Sequence, residues 1–315
     1  MKITALAGGV GGAKLANGLS RLLAPDNLCI VVNTGDDFEY LGLYICPDID
    51  TVTYNLAGLN DPNTGWGLNK DTYAVLDAME TYGHSKWFKL GDRDFATHIE
   101  RTRLMHSGHN LAQITKKIAE NLGVKHTILP MTNDPVRTQI ITENEETIPF
   151  QEYFVRFQST PVVKRILFDG IEKSSLPDIV AASMESSDFV IICPSNPFVS
   201  IDPILSVPGA SSILQTKTVI AVSPLIDGKT LKGPAAKMMK EFGLKPSSLN
   251  IAKHYQSLIA GIVIDYRDEH EKDAISHCGI IPIVTDIYMP DVDSQVNLAK
   301  QVIDFGSDLL KGKQQ

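Results

Sequence analysis

Residues 6–15 carry a glycine-rich turn of the kind that holds phosphate groups. The segment reads L-A-G-G-V-G-G-A-K-L, and it follows a short apolar run at the start of the chain. Glycines allow backbone N–H groups to approach an anion closely, and the N-terminus of a following helix adds partial positive charge. We therefore predict that the turn binds the phosphates of a nucleotide, through Gly8, Gly9, Gly11, Gly12 and Lys14.

The turn differs from the two commonest phosphate-binding fingerprints. The dinucleotide pattern G-x-G-x-x-G requires glycine where this chain has Lys14. The next apolar run ends in Asn33, not in the acidic residue that holds an NAD ribose. A P-loop has lysine directly after glycine, whereas here Ala13 intervenes. An NAD dehydrogenase is thus disfavoured, we assign Asn33 to the nucleotide site, and a glycine turn without a ligand is the structural alternative.

Two acidic clusters follow the second apolar run, N-T-G-D-D at 33–37 and C-P-D-I-D-T at 46–51. Ligands of open parallel sheets bind beyond the carboxyl ends of the strands. Magnesium takes one or two protein carboxylates together with phosphate oxygens. We predict that Asp36, Asp37 and Asp50 bind Mg²⁺ and act in catalysis. The alternative is that these residues cap turns and helices, with Asp48 or Asp50 as the N-cap of the helix after Pro47, as Asp and Asn commonly do.

Residues 87–94, W-F-K-L-G-D-R-D, combine aromatic and charged side chains around a glycine. Such a segment can stack a flat ring and hold a polar tail, which predicts a binding role for Trp87, Lys89, Asp92 and Arg93. The alternative is that Trp87 is a core residue and that Asp92 caps the helix that follows. In that helix, His98 and Arg101 share a face because they are three residues apart.

The segment P-S-N-P at 194–197 directly follows another apolar run. Two prolines restrict the loop, and its Ser and Asn side chains offer hydrogen-bond donors and acceptors. We assign Ser195, Asn196 and Pro197 to the nucleotide site, on the side of the base.

Short apolar runs alternate with stretches of helical periodicity along the chain. Several of the runs lack polar alternation, as do parallel strands that are covered on both faces. The predicted strands are Ile3–Leu6, Leu28–Val32, His126–Leu129, Phe189–Cys193, Val219–Val222, Gly261–Ile264 and Ile280–Val284. The predicted helices include Ala13–Leu23, Phe95–Leu104, Asn110–Leu122, Pro177–Glu185, Ala235–Phe242, Glu271–His277 and Val292–Leu310. This order predicts a single α/β domain over 1–315 with a doubly wound, mostly parallel Rossmann-like sheet.

Residues of about 131–175 interrupt this alternation. Arg137–Thr142 and Thr147–Phe150 flank E-N-E-E and have the pattern of a hairpin, and Val162–Phe168 is a possible third strand. We predict a small inserted β-containing subdomain here.

Composition narrows the classes of partner. The formal net charge of −8 disfavours nucleic acid, which needs a basic face. No apolar run is long enough to span a membrane, and the N-terminal residues lack a signal-peptide pattern. The four cysteines form no C-x-x-C pair. We expect a cytoplasmic protein without a membrane or nucleic-acid partner.

Several motifs together resemble the 2-phospho-L-lactate transferase family. They occur in order over nearly the whole chain, which makes the combination more specific than any single motif. They are A-G-G-V-G-G-A-K at 7–14, N-T-G-D-D at 33–37, C-P-D-I-D-T at 46–51, K-L-G-D-R-D at 89–94, P-M-T-N-D-P-V-R-T at 130–138, Q-E-Y-F-V-R at 151–156, C-P-S-N-P at 193–197 and K-G-P-A-A-K-M-M at 232–239.

The resemblance implies a step in the biosynthesis of coenzyme F-420. The 2-phospholactyl group of lactyl-2-diphospho-5'-guanosine would move to the ribityl hydroxyl of the deazaflavin FO, with release of GMP and a requirement for Mg²⁺. Bacterial relatives use an enolpyruvyl donor, and the sequence leaves the two donors open. The resemblance also implies that Asp50 and the basic residue at 89 contact FO. This chain has Lys89 where many members have arginine, which retains the charge without the planar fork.

A second interpretation is a regulatory protein that binds nucleotide sugars. The gluconeogenesis-factor-like branch of the same superfamily shares the glycine turn and the general fold. We associate the segments Pro47–Thr51 and Lys89–Asp94 with the transferase, and they favour the enzyme. We expect the enzyme to be a homodimer.

Overall fold

A computed structural model describes residues 1–312 of the chain. Its strands, in chain order, are β1 (Ile3–Ala7), β2 (Leu28–Val32), β3 (Phe38–Tyr40), β4 (Leu43–Ile45), β5 (Thr127–Pro130), β6 (Arg137–Thr142), β7 (Thr147–Pro149), β8 (Val163–Asp169), β9 (Phe189–Ile192), β10 (Thr218–Val222), β11 (Leu225–Ile226), β12 (Lys229–Thr230), β13 (Gly261–Asp265) and β14 (Ile281–Thr285).

The helices are α1 (Gly9–Leu22), α2 (Pro47–Leu56), α3 (Ala74–Thr81), α4 (Asp92–His106), α5 (Leu111–Asn121), α6 (Asp178–Ser186), α7 (Asp202–Ser206), α8 (Ala210–Leu214), α9 (Ala235–Glu241), α10 (Ser248–His254), α11 (Lys272–Ser276) and α12 (Val292–Gly312). None of these helices is long and apolar enough to cross a membrane.

Seven strands form one parallel sheet in the order β14-β13-β10-β9-β1-β2-β5. From β1 the chain builds outward through β2 to β5, and later from β9 through β10 and β13 to β14. Strands are therefore added on one side of β1 in the first part of the chain and on the other side from β9 onward, so the strand order reverses between β1 and β9. In open α/β sheets the crevice at such a switch point, beyond the carboxyl ends of the strands, is where ligands bind.

Helices cover both faces of this sheet. In β1, Leu6 belongs to a core cluster with residues of α6, α8 and α9, whereas Ala5 and Ala7 belong to the cluster with α1, α2 and α12. Every residue of β1 is buried, and apart from Thr4 the strand is apolar without alternation. The predicted α/β class with a doubly wound, mostly parallel sheet is confirmed.

A separate antiparallel sheet lies within the region that we predicted as an insertion. Its order is β7-β6-β8, and β6 pairs with both neighbours. Ile140 of β6 and Val163 of β8 reach the large core cluster, which anchors the small sheet to the central one. The exact boundaries of the subdomain, about 131–175, stay a prediction.

The first helix begins earlier than predicted. We expected the glycines to form a loop ahead of a helix at Ala13, but α1 starts at Gly9, and Gly8 is its extended N-cap. Gly9 has φ of +60°, a left-handed value that glycine adopts without strain. The remaining glycines thus form the first turn of the helix, where helix propensity is low but close packing is possible.

Candidate functional site

The glycine turn and the loop after β9 meet at the switch point of the sheet. The Gly8 amide donates to Ser195 Oγ (3.1 Å), and the same hydroxyl donates to the Gly8 carbonyl (2.7 Å). A Cβ on Gly11 would lie 2.2 Å from the carbonyl oxygen of Pro194, and one on Gly12 would lie 2.5 Å from Ser195 Oγ. Glycine is therefore required at both positions for this loop to pack against α1.

Asp48 reaches from α2 to the N-terminus of α1. Its Oδ1 accepts from the Gly9 amide (2.7 Å), and its Oδ2 accepts from Asn33 Nδ2 (2.9 Å). A carboxylate at a helix N-terminus interacts favourably with the helix dipole. We had considered Asp48 and Asp50 as N-caps of the helix after Pro47, and this is wrong, because both lie in the first turn of α2 and its N-cap is Cys46.

Other residues assigned to the nucleotide site have partners within the protein. Asn33 also donates to the Val199 carbonyl and accepts from the Gly35 amide. Lys14 Nζ donates to the Met289 carbonyl (2.7 Å), and Asn196 Oδ1 caps the turn Pro197–Ile201 by accepting from the Phe198 amide. The structure brings these residues to one end of the sheet and uses their side chains to build it, so their contact with a ligand stays a prediction.

Three buried carboxyl groups lie together beside this frame. Burial and the charge of Asp48 raise the pKa of Asp36 well above its ordinary value. Burial raises the pKa of Asp37 to about 7, against the opposing effect of Arg137, and burial raises that of Asp48 to about 6. Asp36 Oδ1 and Asp37 Oδ1 are buried without a hydrogen-bond partner. Unpaired buried acceptors of this kind favour a bound cation or proton.

Asp36 and Asp37 open onto a cleft. One wall is the segment that follows β2, another is Trp87, and the third is the inserted sheet, which contributes Arg137 and Phe150. Arg137 donates to the Tyr44 hydroxyl (2.9 Å) and lies over its ring. The cleft therefore combines an acidic floor, one guanidinium and two aromatic walls.

Asp50 lies behind Asp37 and does not line this cleft. Both of its oxygens are bound by the guanidinium of Arg101, from Nη1 at 3.0 Å and from Nη2. Arg101 is 1% exposed. The three residues predicted to bind Mg²⁺ therefore lie in two places. Asp36 and Asp37 are adjacent and line the cleft, whereas Asp50 is paired with Arg101.

The segment 87–94 also divides between two places. Trp87 lines the cleft and packs on Phe38, with ring centroids 5.8 Å apart. Asp92 accepts hydrogen bonds from the amides of Ala74 and Val75 and from the Thr72 hydroxyl. It therefore caps α3. Our structural alternative, in which Asp92 caps the helix that follows it, is wrong.

Lys89 and Arg93, like Asp92, contact the segment that precedes α3. Lys89 Nζ is 5.9 Å from the centre of the Tyr73 ring, and Arg93 Nη1 donates to the Asn69 carbonyl. Asp71 and Tyr73 line a smaller pocket. The structure therefore does not bring these residues into the cleft with Trp87.

The residues fit a magnesium ion that is shared with a substrate. Among residues 1–312, no three acidic, His or Cys side chains already converge as a complete metal site. However, Mg²⁺ commonly uses only one or two carboxylates and takes its other ligands from phosphates and water. Asp36 and Asp37 each offer a buried oxygen without a partner. They are the residues that would hold the ion.

Three residues of the site escaped the sequence analysis. Asp48 was seen only as a possible cap, Arg137 lay in a quoted motif without a role, and Arg101 was noted only for sharing a helix face with His98. Each acts on a residue far away in the chain, as Asp48 does on Gly9, 39 positions earlier. The periodicity of α4 was the one available signal, because it placed Arg101 and His98 on its buried side.

Comparison with known proteins identifies the family. The profile described as "2-phospho-L-lactate transferase CofD" matches residues 3–293. The chain belongs to this family. It is therefore a transferase of the CofD type, as the motifs predicted, and a dehydrogenase is excluded as its class.

Curated relatives cover nearly the whole chain. A 2-phospho-L-lactate transferase from Methanosarcina barkeri is 37% identical over 94% of this chain and 96% of its own length. A phosphoenolpyruvate transferase from Thermobifida fusca is 34% identical over 98% of this chain and 99% of its own length. The similarity to both kinds of relative leaves the donor open.

A solved structure shares the fold. A member of the UPF0052 family from Bacillus halodurans superposes with a TM-score of 0.61 over 96% of this chain and 98% of its own length. Its sequence is only 14% identical, so the likeness supports the architecture and carries no information on activity.

Proposed function

We propose that this CofD-family transferase moves a 2-phospholactyl or enolpyruvyl-phosphate group from a guanosine diphosphate donor to the ribityl hydroxyl of FO. The observation that carries the proposal is the position of the acidic cluster. Asp36, Asp37 and Asp48 lie between the switch-point crevice and the aromatic cleft. A phosphorylated donor and a flat acceptor can thus meet at the carboxylates.

The donor diphosphate is proposed to lie at the N-terminus of α1. The first amides of a helix lack partners within it and favour negative charge. Asp48 Oδ1 accepts a hydrogen bond from the Gly9 amide. A diphosphate would compete with this carboxylate for the same donors. The loop Pro194–Pro197 borders this place and is proposed to face the guanine.

Asp36 and Asp37 are proposed to hold Mg²⁺ against the phosphates. The ion would neutralise charge on the phosphoryl oxygens during transfer. Asp36, Asp37, Asp48 and Asp50 all lie in one buried region, and two guanidiniums, Arg101 and Arg137, act on it. When all are ionised, two negative charges remain, which matches one divalent cation.

The acceptor ring is proposed to occupy the cleft beside Trp87 and Phe150. The ribityl hydroxyl then attacks the phosphorus that carries the lactyl or enolpyruvyl group. The bond from that phosphorus to the bridging oxygen breaks, GMP leaves with its electron pair, and the hydroxyl proton passes to a carboxylate of the cluster. Asp36 and Asp37 are proposed to assist this step through the ion that they would hold, and Asp50 is proposed to keep the neighbouring Asp37 carboxylate in position.

Incubation with FO, the guanosine diphosphate donor and Mg²⁺ tests the proposal. We expect GMP and a product of FO mass plus the transferred group, both dependent on FO, detected by liquid chromatography and mass spectrometry. Parallel reactions with lactyl and enolpyruvyl donors decide between the two. Tight binding of donor without any GMP release would contradict the transferase and favour the regulatory interpretation.

A further inference from the structure

The buried guanidinium of Arg101, on α4, is not explained by the proposed contacts with substrate. Arg101 is the largest side chain in the described structure that is almost fully buried, and it holds Asp50 by both oxygens. This two-pronged geometry fixes the carboxylate plane, because the guanidinium is itself planar. Any movement of the Arg101 guanidinium would therefore move or release Asp50.

The pair continues into a chain of polar groups. Arg101 Nη1 lies 3.1 Å from His98 Nδ1, and His98 Nε2 lies 3.4 Å from Asp94 Oδ1. A guanidinium only donates, so His98 Nδ1 must accept, which leaves its proton on Nε2 facing Asp94. The Tyr54 hydroxyl donates to the same Asp94 oxygen (2.6 Å). The bond from Arg101 thus sets the tautomer of the imidazole, whereas His98 Nε2 lies beside Asp94 without a hydrogen bond to it.

The chain of groups runs between the two cavities. At one end, Asp50 adjoins Asp37, whose pKa its charge raises, and Asp37 lines the large cleft. At the other end, Asp94 lines the smaller pocket with Tyr73. Tyr54 of α2 and the residues of α4 thus connect the floor of the proposed transfer site to a second surface of the molecule.

Stability of the fold is a poor explanation for such a network. Removing two charges from water costs about as much as their attraction returns, and a well-packed apolar group of similar volume is often equally stable. Nearby exposed pairs show the ordinary arrangement, as in Arg103 with Glu100 on the outer face of the same helix. A buried ion pair that borders a cleft therefore points to positioning.

We propose that Arg101 is a positioning residue that fixes Asp50 for the transfer step, with His98 Nδ1 accepting a hydrogen bond from Arg101 and so helping to hold it in place. The inference rests on the proposed function, since it assigns a task to Asp50 during transfer. Arg101 touches neither substrate. Its removal affects the rate of the chemical step and leaves the binding of the donor unchanged.

The test uses the full chain with Arg101→Met, Arg101→Lys, Asp50→Asn and the double variant Asp50→Asn with Arg101→Met. Arg103→Met is the matched control, because it removes an exposed guanidinium from the same helix. Melting temperature, kcat and the KM for each substrate are measured for all variants, at a temperature well below every melting transition.

We expect Arg101→Met to lower kcat about 100-fold, the typical effect of misplacing a catalytic group by an ångström. The donor KM should stay within about threefold of wild type, and Arg103→Met should behave as wild type. Arg101→Lys keeps the charge and the aliphatic stem, so it should fold even if Arg101→Met does not, and it should lose at least about tenfold in kcat because it lacks the fork. The double variant should be no slower than Asp50→Asn alone.

Two results would overturn the positioning role. One is an Arg101→Lys variant with kcat within twofold of wild type. The other is a double variant whose loss equals the product of the two single losses, since independent sites give multiplicative effects. A wild-type protein that releases no GMP contradicts the proposed function itself, so the two failures are distinguishable.

Discussion

The raised pKa of Asp37 ties metal binding to pH. Its carboxyl group must lose a proton before it can bind Mg²⁺. Because burial raises this pKa to about 7, we expect Mg²⁺ affinity, measured by calorimetry in the presence of GDP, to increase as the pH rises towards about 7 and to level off above it. The increase should approach about tenfold per pH unit for each proton displaced.

Asp37→Asn should weaken Mg²⁺ binding and flatten this dependence. Asp308→Asn is the control, because it removes an exposed carboxylate of α12 that pairs with Lys311. An affinity that falls as the pH rises would contradict the assignment of Asp37 as a ligand.

A substitution at Asp92 tests whether this residue caps a helix or binds the acceptor FO. Its carboxylate accepts three hydrogen bonds at the start of α3, and these bonds lower its pKa. We expect Asp92→Ala to lower the melting temperature and to leave FO affinity unchanged, as followed by FO fluorescence. Asp304→Ala, at an exposed position of α12, serves as the control. Loss of FO binding in a folded Asp92→Ala protein would restore the binding role that the sequence predicted.

The sequence showed which residue types carry chemistry but not how their polar atoms are used. Ser195 and Asn33 were predicted as ligands of the nucleotide because they follow apolar strands. In the structure their side chains bond the Gly8 backbone and the Asp48 carboxylate. Both partners are remote in sequence or belong to another element, so no local pattern reveals them.

At the scale of elements, the junction of α1 with the loop after β9 leaves no room for a side chain. From the sequence alone we expected Gly11 to matter only for the ligand. Because a Cβ there would lie 2.2 Å from the Pro194 carbonyl oxygen, we now expect Gly11→Ala to lower the free energy of unfolding by about 1–3 kcal/mol, the usual cost of overpacking.

Urea denaturation measures this effect. Gly312→Ala is the control, since no atom of the described residues 1–312 lies within 4 Å of its Cβ position. Wild-type stability together with lost GDP binding would show that Gly11 serves the ligand alone.

Elements with strong local signals were predicted well. All the predicted parallel strands exist, because strands that are buried on both faces are apolar throughout, as in Phe189–Ile192. The hairpin of β3 and β4 was missed, since each strand has only three residues and neither is buried on a full face. The start of α1 was misplaced because glycine is a poor helix former and hides the helical pattern.

At the scale of the whole molecule, the site depends on strand order, which local pattern does not determine. The sequence predicts parallel strands, but it does not say that β9 returns to lie beside β1. That pairing brings the loop Pro194–Pro197 against the glycine turn and creates the switch point. The inserted sheet then adds a wall that the central sheet does not provide. Arg137 and Phe150 of the inserted region line the cleft together with Asp37.

The two cavities give the chain two candidate places for the acceptor ring, and its two tryptophans distinguish them. Trp87 lines the large cleft, whereas Trp66 lines the smaller pocket beside Asp94. Ring stacking contributes about 0.5–1.5 kcal/mol beyond the burial of area. If the deazaflavin occupies the cleft between the central sheet and the inserted sheet, Trp87→Ala should weaken FO binding roughly tenfold, which corresponds to about 1.4 kcal/mol, and Trp66→Ala should not.

The measurement is fluorescence titration of FO with each variant, with GDP affinity and melting temperature determined in parallel. GDP binding should stay unchanged in Trp87→Ala, because Trp87 lines the cleft beside the inserted sheet and not the glycine turn. Phe150→Ala, which removes a ring on the opposite side of the cleft, should add to the loss in Trp87→Ala, since both rings face the same ligand. A selective loss in Trp66→Ala would instead place the acceptor in the smaller pocket, near Lys89 and Arg93. The residues from Asp94 to Asp50 would then connect the bound acceptor with the carboxylates of the cleft.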